Sequence, residues 1–206
     1  MIFVCAMTMA QTNAYPLLPM PQNYKVTDKS FAMGKVKLST PVLKSEWEAF
    51  IVNAGGELAD KAAAEIKVEL LPVIDGVKLN PDEAYRLSVS GKLIKIEAVT
   101  ERGVYWALQT LRQLEKKKGK KSLFAGCEIV DWPAFRIRGF MQDVGRSYIS
   151  VEELKREIEI LSRFKINVFH WHLTENQAWR LESKILPMLN DSINTAVSYT
   201  HLRAHE

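Results

Sequence analysis

The sequence predicts a small α+β domain followed by the opening of a parallel α/β barrel. Apolar and polar residues alternate in paired runs between residues 66 and 98, as they do in half-exposed strands. A strand, an amphipathic helix and a second strand then follow one another between residues 135 and 173. The chain has 206 residues, whereas a complete (β/α)₈ barrel alone needs about 250. The predicted fold class is therefore an α+β N-terminal domain followed by the truncated start of a (β/α)₈ TIM barrel.

The composition is that of a globular protein, with 47% hydrophobic and 25% charged residues. Residues 2–10 form a short apolar run that ends in small residues, as in a secretory signal cleaved after Ala10. This run is too short to span a bilayer, and no transmembrane segment is predicted. We expect residues 1–10 to be a truncated signal peptide and the protein to be exported to a periplasm, a surface or the medium. A frayed N-terminus is the alternative.

The formal net charge is +4, and lysines between residues 116 and 121 supply much of the excess. Such a short run without interleaved aromatic residues indicates a solvated linker or loop, so no nucleic-acid partner is predicted. The two cysteines are Cys5 and Cys127, and removal of a signal would leave one. We therefore expect no disulfide framework, and we expect Cys127 to be a small buried hydrophobic residue.

Residues 11–128 are predicted to form the α+β domain. Ser45 begins a capping-box pattern, which predicts a helix that ends near Glu57. Residues 66–71 are predicted to be a strand, and the alternating runs on either side of Ser90–Gly91 indicate an antiparallel hairpin.

Thr100 is a candidate cap for the next helix. The apolar face of that helix comprises Val104, Leu108, Leu111 and Leu114. No internal repeat and no catalytic cluster is evident in this region.

Residues 129–190 are predicted to hold the first two βα units of the barrel. The elements expected are a strand at 135–144, a helix that begins with a capping box at Ser150, and a strand at 167–173. The spacing of the two strands suits either a barrel or an open α/β sheet.

Polar groups follow both predicted strands. Arg146 lies just past the first strand, and Glu175 and Asn176 lie just past the second. In α/β barrels, functional groups project from the carboxyl ends of strands. The planar fork of a guanidinium suits vicinal hydroxyls or a carboxylate. The alternative is that Arg146 and Glu175 form a structural ion pair.

Two histidines, His170 and His172, share a face of the second strand. Their spacing occurs in metal sites, but two ligands do not make one, and barrel-interior histidines held by hydrogen bonds are the preferred interpretation. Arg138 and Asp143 point to opposite faces of a regular strand, so no direct pair is implied. Trp171 is expected to pack against helices, while Trp179 is a candidate for stacking on a sugar.

Two segments carry a resemblance to a known family. They read RGFMQDVGR and KINVFHWHLTENQAWRLE. They resemble the signature of the β-N-acetylhexosaminidases of glycoside hydrolase family 20, which is roughly R-G-x-x-x-D-x-x-R and N-x-x-H-x-H-L-x-D-D/N-Q-x-W-R. The stretch from Glu83 to Leu114 is similar to the small domain that precedes the barrel in that family. The resemblance covers roughly residues 16–190.

The resemblance implies roles for two residues. Arg146 matches the arginine that binds hydroxyls of the terminal, non-reducing N-acetylhexosamine of a glycan. Glu175 matches an acidic residue, commonly Asp, in a network that supports the general acid. No cofactor and no metal are implied.

The family mechanism is substrate-assisted and retaining, an exception to the scheme with two enzyme carboxylates. The acetamido carbonyl of the substrate attacks the anomeric carbon. An Asp orients the acetamido group, and the Glu next to that Asp protonates the leaving oxygen. This pair follows the fourth barrel strand, and no equivalent pair is recognised here. We therefore expect no catalytic residue in this chain, an inactive fragment, and an uncovered strand edge.

Residues 191–206 do not continue the family pattern and are expected to be a non-native tail. Two other functions stay open at this point. One is a non-catalytic carbohydrate-binding or interaction module with the first domain as its working part. The other is a metal-dependent barrel hydrolase that uses His170 and His172. The oligomeric state, the glycan linkage and the preference between GlcNAc and GalNAc are not predicted.

Overall fold

The computed structural model describes residues 16–175 and 178–190. The chain divides into two compact units between Ala134 and Phe135. The signal predicted at 1–10 and the tail predicted at 191–206 lie outside the described residues. No helix in the described ranges combines the length and the apolar character that crossing a membrane requires.

The first unit contains two α-helices and ten strands among its described residues. The strands before the first helix are β1 Asn23–Val26, β2 Phe31–Ala32 and β3 Lys35–Ser39. The middle elements are α1 Lys44–Asn53, β4 Glu57–Leu58, β5 Ala64–Leu70, β6 Tyr85–Ser90, β7 Leu93–Ala98 and α2 Glu101–Gln113. The last strands are β8 Glu115–Lys118, β9 Lys121–Phe124 and β10 Cys127–Asp131.

Seven of these strands form a mixed sheet in the order β1-β10-β6-β7-β5-β3-β4. The pairs from β1 to β7 are antiparallel, and the pairs from β7 to β4 are parallel. The hairpin predicted around Ser90–Gly91 is confirmed as β6 and β7. The predicted boundary at 128/129 falls inside β10, which pairs with both β1 and β6 and so stays with the first unit.

One face of this sheet carries the hydrophobic core. Buried residues alternate along β6 and β7, and α1 and α2 supply large side chains to the same cluster. The apolar face predicted for α2 is confirmed, because its residues are fully buried: Val104, Leu108, Leu111 and Leu114. Burial of this kind is the main favourable term in folding.

The opposite face of the sheet is a ladder of paired charges. Lys95 Nζ lies 2.7 Å from Glu97 Oε1 and 3.1 Å from Glu69 Oε2, and Arg86 pairs with Glu97. The hydrogen bond to Glu97 raises the pKa of Lys95, and a hydrogen bond from Lys67 lowers the pKa of Glu69. Each exposed pair contributes little to stability. Because the charges compensate one another, this face suits water.

The Asp-Glu pair at Asp82–Glu83 is structural. Glu83 is buried, and its carboxylate accepts a hydrogen bond of 2.6 Å from Trp106 Nε1. Tyr85 next to it shares its hydroxyl with Thr110 and Asp131 inside the core. These contacts satisfy polar groups that burial would otherwise leave costly.

The capping box predicted at Ser45 is wrong. Helix α1 begins at Lys44, and Leu43 occupies the cap position in a left-handed conformation without a side-chain cap. The Leu43 carbonyl accepts the hydrogen bond from Trp47 N, which places Ser45 within the helix. The Ser45 hydroxyl instead donates to Glu46.

The lysine run is a hairpin rather than a linker or loop. Strands β8 and β9 pair antiparallel, with Lys118 opposite Lys121. Gly119 makes the turn with a φ of 63°, a conformation that glycine adopts without strain. Lys117 Nζ is held by the carbonyl of Asn53 and by Glu115. The contact with Asn53 joins the hairpin to the end of α1.

The second unit contains β11 Gly139–Asp143, α3 Val151–Arg163, β12 Val168–His172, β13 Thr174–Glu175 and β14 Ala178–Trp179. Strands β11 and β12 pair parallel, which confirms the predicted βαβ unit. The capping box at Ser150 is also confirmed, with Glu153 as its partner. After β12, the described residues hold an antiparallel pair and a 3₁₀ turn, Pro187–Asn190, rather than a second α-helix.

Strand β11 is shorter than the predicted strand at 135–144. Its pairing starts at Gly139, opposite Val168. The Arg138 side chain turns back to the carbonyls of Lys165 and Phe135. Several large apolar side chains of this unit remain exposed: Phe135, Ile137, Met141, Ile185 and Met188.

Two hydroxyl residues near the starts of α1 and α2, of which only one is a cap, give a matched test. Thr100 Oγ1 accepts a hydrogen bond from Arg102 N, whereas Ser45 caps nothing. We expect Thr100→Ala to lower the free energy of unfolding by about 1 kcal/mol. Ser45→Ala should change it by less than about 0.5 kcal/mol. Urea unfolding checks both, and equal effects would contradict the capping assignment.

Burial raises the pKa of the Cys127 thiol to about 12. An unfolded thiol loses its proton above about pH 8.5, so between these values only the folded state keeps the proton. The free energy of unfolding should therefore fall as the pH rises through this window. The free energy of unfolding of Cys127→Ala should fall less over the same window. A Cys5→Ser background removes the other thiol. The difference between the two proteins then isolates Cys127, because both keep Tyr85, whose pKa is also raised. Parallel curves would show that the thiol is not buried.

Candidate functional site

The candidate site lies at the carboxyl ends of β11 and β12. The parallel register places Asp143 opposite His172, and Val144 N donates to the His172 carbonyl at 3.0 Å. Because both strands run in the same direction, the loops that follow them leave from the same edge of the sheet. The structure thereby brings together Arg146 and Glu175, the two predicted site residues. Asn176, which was also predicted here, lies outside the described residues.

Asp143 holds the loop that carries Arg146. Its Oδ1 atom accepts hydrogen bonds from Gly145 N at 2.8 Å and from Arg146 N at 3.2 Å. Its Oδ2 atom lies 3.2 Å from Arg146 Nε. One carboxylate therefore fixes both the backbone and the side chain of Arg146.

Glu175 approaches the same guanidinium from the second strand. Its Oε1 atom lies 3.4 Å from Arg146 Nη2 and 3.5 Å from His172 Nε2. His172 Nε2 is buried, and its geometry toward Glu175 is not that of a hydrogen bond. The ion pair between Arg146 and Glu175 that the sequence left open as an alternative is therefore present, but it is one part of a larger cluster.

Gly145 leaves the space that Glu175 occupies. A Cβ atom at Gly145 would lie 3.0 Å from Glu175 Cβ and 3.2 Å from Asp143 Oδ1. Both distances are short, so a side chain here would need Glu175 and Asp143 to shift by a few tenths of an ångström. The close packing around Gly145 therefore favours glycine.

The charges of the cluster differ in exposure. The Arg146 side chain is 67% exposed, whereas those of Asp143 and Glu175 are 23% and 27% exposed. The guanidinium therefore rests on two partly buried carboxylates and faces solvent. Such an arrangement can present N–H donors to a polar ligand.

The two histidines do not form a metal centre with their neighbours. The rings of His170 and His172 have centroids 6.3 Å apart. Within residues 16–175 and 178–190, no three His, Cys, Asp or Glu side chains are grouped to hold a metal ion. We find no observation that favours the metal-dependent hydrolase.

The tryptophans differ from the expectation in part. Trp171 was expected to pack against helices, but it is 44% exposed. Trp179 Nε1 is buried without a hydrogen-bond partner. Arg138, for which no direct pair with Asp143 was implied, donates to the backbone carbonyls of Lys165 and Phe135.

Sequence reasoning missed two contacts near the site. It did not predict the contact between Asp143 and Arg146. An acid at the end of a strand, three residues before an arginine, is a usable signal for such a contact. It also overlooked Arg180, whose Nε donates to the Val144 carbonyl at 3.0 Å and whose guanidinium lies over the Tyr148 ring. No local pattern predicts the latter contact, because 36 residues separate Arg180 from Val144.

Comparison with protein families gives two adjacent matches. Residues 14–132 match domain 2 of glycosyl hydrolase family 20, and residues 135–202 match the catalytic domain of that family. The second match extends into residues 191–202, which were expected from the sequence to depart from the family pattern. The two matches meet where the structure divides into its two units.

Individual relatives agree with this assignment. A β-hexosaminidase of Porphyromonas gingivalis is 34% identical over 191 residues, which are 85% of this chain and 24% of that protein. A β-hexosaminidase of Vibrio furnissii is 39% identical over 132 residues, 64% of this chain and 21% of that protein. This chain therefore spans about a quarter of the length of these relatives.

Solved structures give the same result. A family 20 exo-β-N-acetylglucosaminidase of Vibrio harveyi in complex with N-acetylglucosamine has a TM-score of 0.72 at 35% identity, and the match covers 87% of this chain and 28% of that one. A β-N-acetylhexosaminidase of Bacteroides fragilis has a TM-score of 0.71 at 29% identity, with 85% and 37% coverage. From the family matches, the relatives and the fold together, this chain belongs to glycosyl hydrolase family 20.

Proposed function

We propose that this chain is part of an exported exo-β-N-acetylhexosaminidase, which hydrolyses terminal, non-reducing N-acetylhexosamine residues of glycans. The observation that carries the proposal is the placement of Arg146 at the carboxyl edge of the β11–β12 pair in a chain of this family. The relatives are named for this activity, and one was solved with N-acetylglucosamine. The second unit would then be the start of a (β/α)₈ barrel, whose active sites lie at that edge.

Arg146 is the proposed substrate-binding residue. Its guanidinium is always charged and presents several N–H donors in one plane, which suits two neighbouring hydroxyls of a sugar ring. Its high exposure leaves it accessible to a ligand. Glu175 supports it by the contact with Nη2 and extends the network toward His172.

The proposed reaction is substrate-assisted and retains the anomeric configuration. The 2-acetamido carbonyl oxygen forms a bond to the anomeric carbon while the glycosidic bond breaks, and a carboxylic acid protonates the leaving oxygen. Water then opens the resulting oxazolinium ion, with the same carboxylate taking a proton from the water. Neither new bond requires a metal or a cofactor.

None of the residues that we assign to the candidate site would carry out these proton transfers. The Asp82–Glu83 pair belongs to the first unit, and Glu83 is engaged with Trp106. We assign the general acid and the residue that orients the acetamido group to a part of the enzyme outside this chain. The chain itself would bind sugar without hydrolysing it.

A non-catalytic carbohydrate-binding module is the second candidate. The same observation favours it, because Arg146 and its two carboxylates can bind a sugar without a proton donor. The two candidates differ in the longer protein, where only the enzyme would add a catalytic acid.

Sugar binding by Arg146 is directly testable on the chain. N-acetylglucosamine should bind with an affinity near the millimolar range, and Arg146→Ala should weaken binding roughly 10- to 100-fold, because a charged hydrogen-bond donor is lost. Arg163→Ala is the matched control, since Arg163 pairs with Glu159 on the surface of α3. Ligand-observed NMR measures both. Equal affinity of the two variants would reject Arg146 as the sugar-binding residue.

Hydrolysis by the chain alone provides a separate test. A positioned proton donor contributes about 10²- to 10⁴-fold to the rate, and the chain lacks an assigned one. We expect no release of nitrophenol from nitrophenyl N-acetyl-β-glucosaminide, in an assay that includes a full-length relative from Vibrio harveyi as the positive control. Turnover that copurifies with the chain and disappears in Arg146→Ala would contradict the assignment of the acid elsewhere.

A further inference from the structure

Asp143 has no part in the function proposed above, yet it makes more contacts with Arg146 than Glu175 does. We propose that Asp143 is the positioning residue that orients the Arg146 guanidinium for sugar hydroxyls. This inference rests on the proposed function for the identity of the ligand, but not for the orientation of Arg146 itself.

The backbone contacts of Asp143 set the position of Arg146 Cα. Oδ1 accepts from two successive amides, Gly145 N and Arg146 N. Asp143 itself ends β11, and the register with His172 fixes its own location. The loop is therefore anchored to the sheet through one carboxylate oxygen.

The side-chain contact of Asp143 sets the direction of the guanidinium. An arginine has several rotatable bonds, and one that is 67% exposed has little packing to restrict them. The contact of Oδ2 with Nε, at 3.2 Å, holds the guanidinium at the nitrogen nearest the aliphatic part of the side chain. The charge of both groups strengthens this contact.

Asp143 and Glu175 leave one part of the guanidinium available. They engage Nε and Nη2, and the described residues make no hydrogen bond or ion pair with Nη1. The Nη1 donors are therefore left for a ligand. An orientation fixed in advance saves a ligand the cost of ordering the side chain.

Glu175 cannot replace Asp143 in this role. Its contact with Arg146 is longer, at 3.4 Å, and the same oxygen faces His172. Its removal should loosen Nη2 while Nε stays held. This difference makes Glu175→Gln a control on the same guanidinium.

The test is an NMR measurement of the Arg146 Nε–H group in the full chain. In the wild type this group should give a slowly exchanging, ordered signal. Asp143→Asn keeps an oxygen for the backbone amides but removes the charge, so the signal should lose its order. Glu175→Gln and the exposed substitution Asp60→Asn should leave it in place. An unchanged Arg146 Nε–H signal in Asp143→Asn overturns the proposal.

A wild-type measurement covers the case in which Asp143→Asn disturbs the fold. An NMR spectrum that correlates atoms across hydrogen bonds should connect the Arg146 Nε–H group to the Asp143 carboxyl carbon and not to that of Glu175. If it connects to Glu175 or to neither, Asp143 does not position the guanidinium.

Sugar affinity separates this inference from the proposed function. Asp143→Asn should weaken N-acetylglucosamine binding roughly tenfold, as loss of a charged hydrogen bond does, and Asp143→Glu should restore part of it. If the wild type binds no sugar while the Nε–H results hold, the proposed ligand fails and the positioning role stands. If the wild type binds and Asp143→Asn binds equally well, the positioning role fails alone.

Discussion

The parallel pairing of β11 with β12 is the interaction on which the candidate site depends. Their register places Asp143 opposite His172, and the hydrogen bond from Val144 N continues it by one step. Arg146 and Glu175 are 29 residues apart in sequence, and only this pairing brings them to 3.4 Å. A slip of one residue would turn each side chain to the other face of the sheet.

Side-chain length explains how two carboxylates can share one arginine. Asp143 is short and binds the loop that follows its own strand, so it reaches both the backbone and Nε. Glu175 is one methylene longer than the Asp that is common in the family. That length, together with the space at Gly145, lets its Oε1 face Arg146 and His172 at once.

The first unit, by contrast, pairs the charges of its sheet with one another. Its sheet turns one face to the core and the other to a ladder of charges that compensate one another. Glu83, although adjacent to Asp82, accepts a hydrogen bond from Trp106 Nε1. A framework with its acids engaged in this way supports a structural role, and the candidate chemistry concentrates at the carboxyl edge of the second unit.

The sequence by itself determined the periodic elements, because alternation and helical spacing are local properties. It predicted the hairpin of β6 and β7, the apolar face of α2, the cap at Thr100 and the βαβ order of the second unit. Its capping box at Ser45 was wrong because the same local pattern fits a helix interior, and only the turn at Leu43 decides which position is the cap. The tertiary structure alone decided that Glu175 reaches the guanidinium that Asp143 holds, since this contact between loops 29 residues apart depends on strand register, which no local pattern encodes.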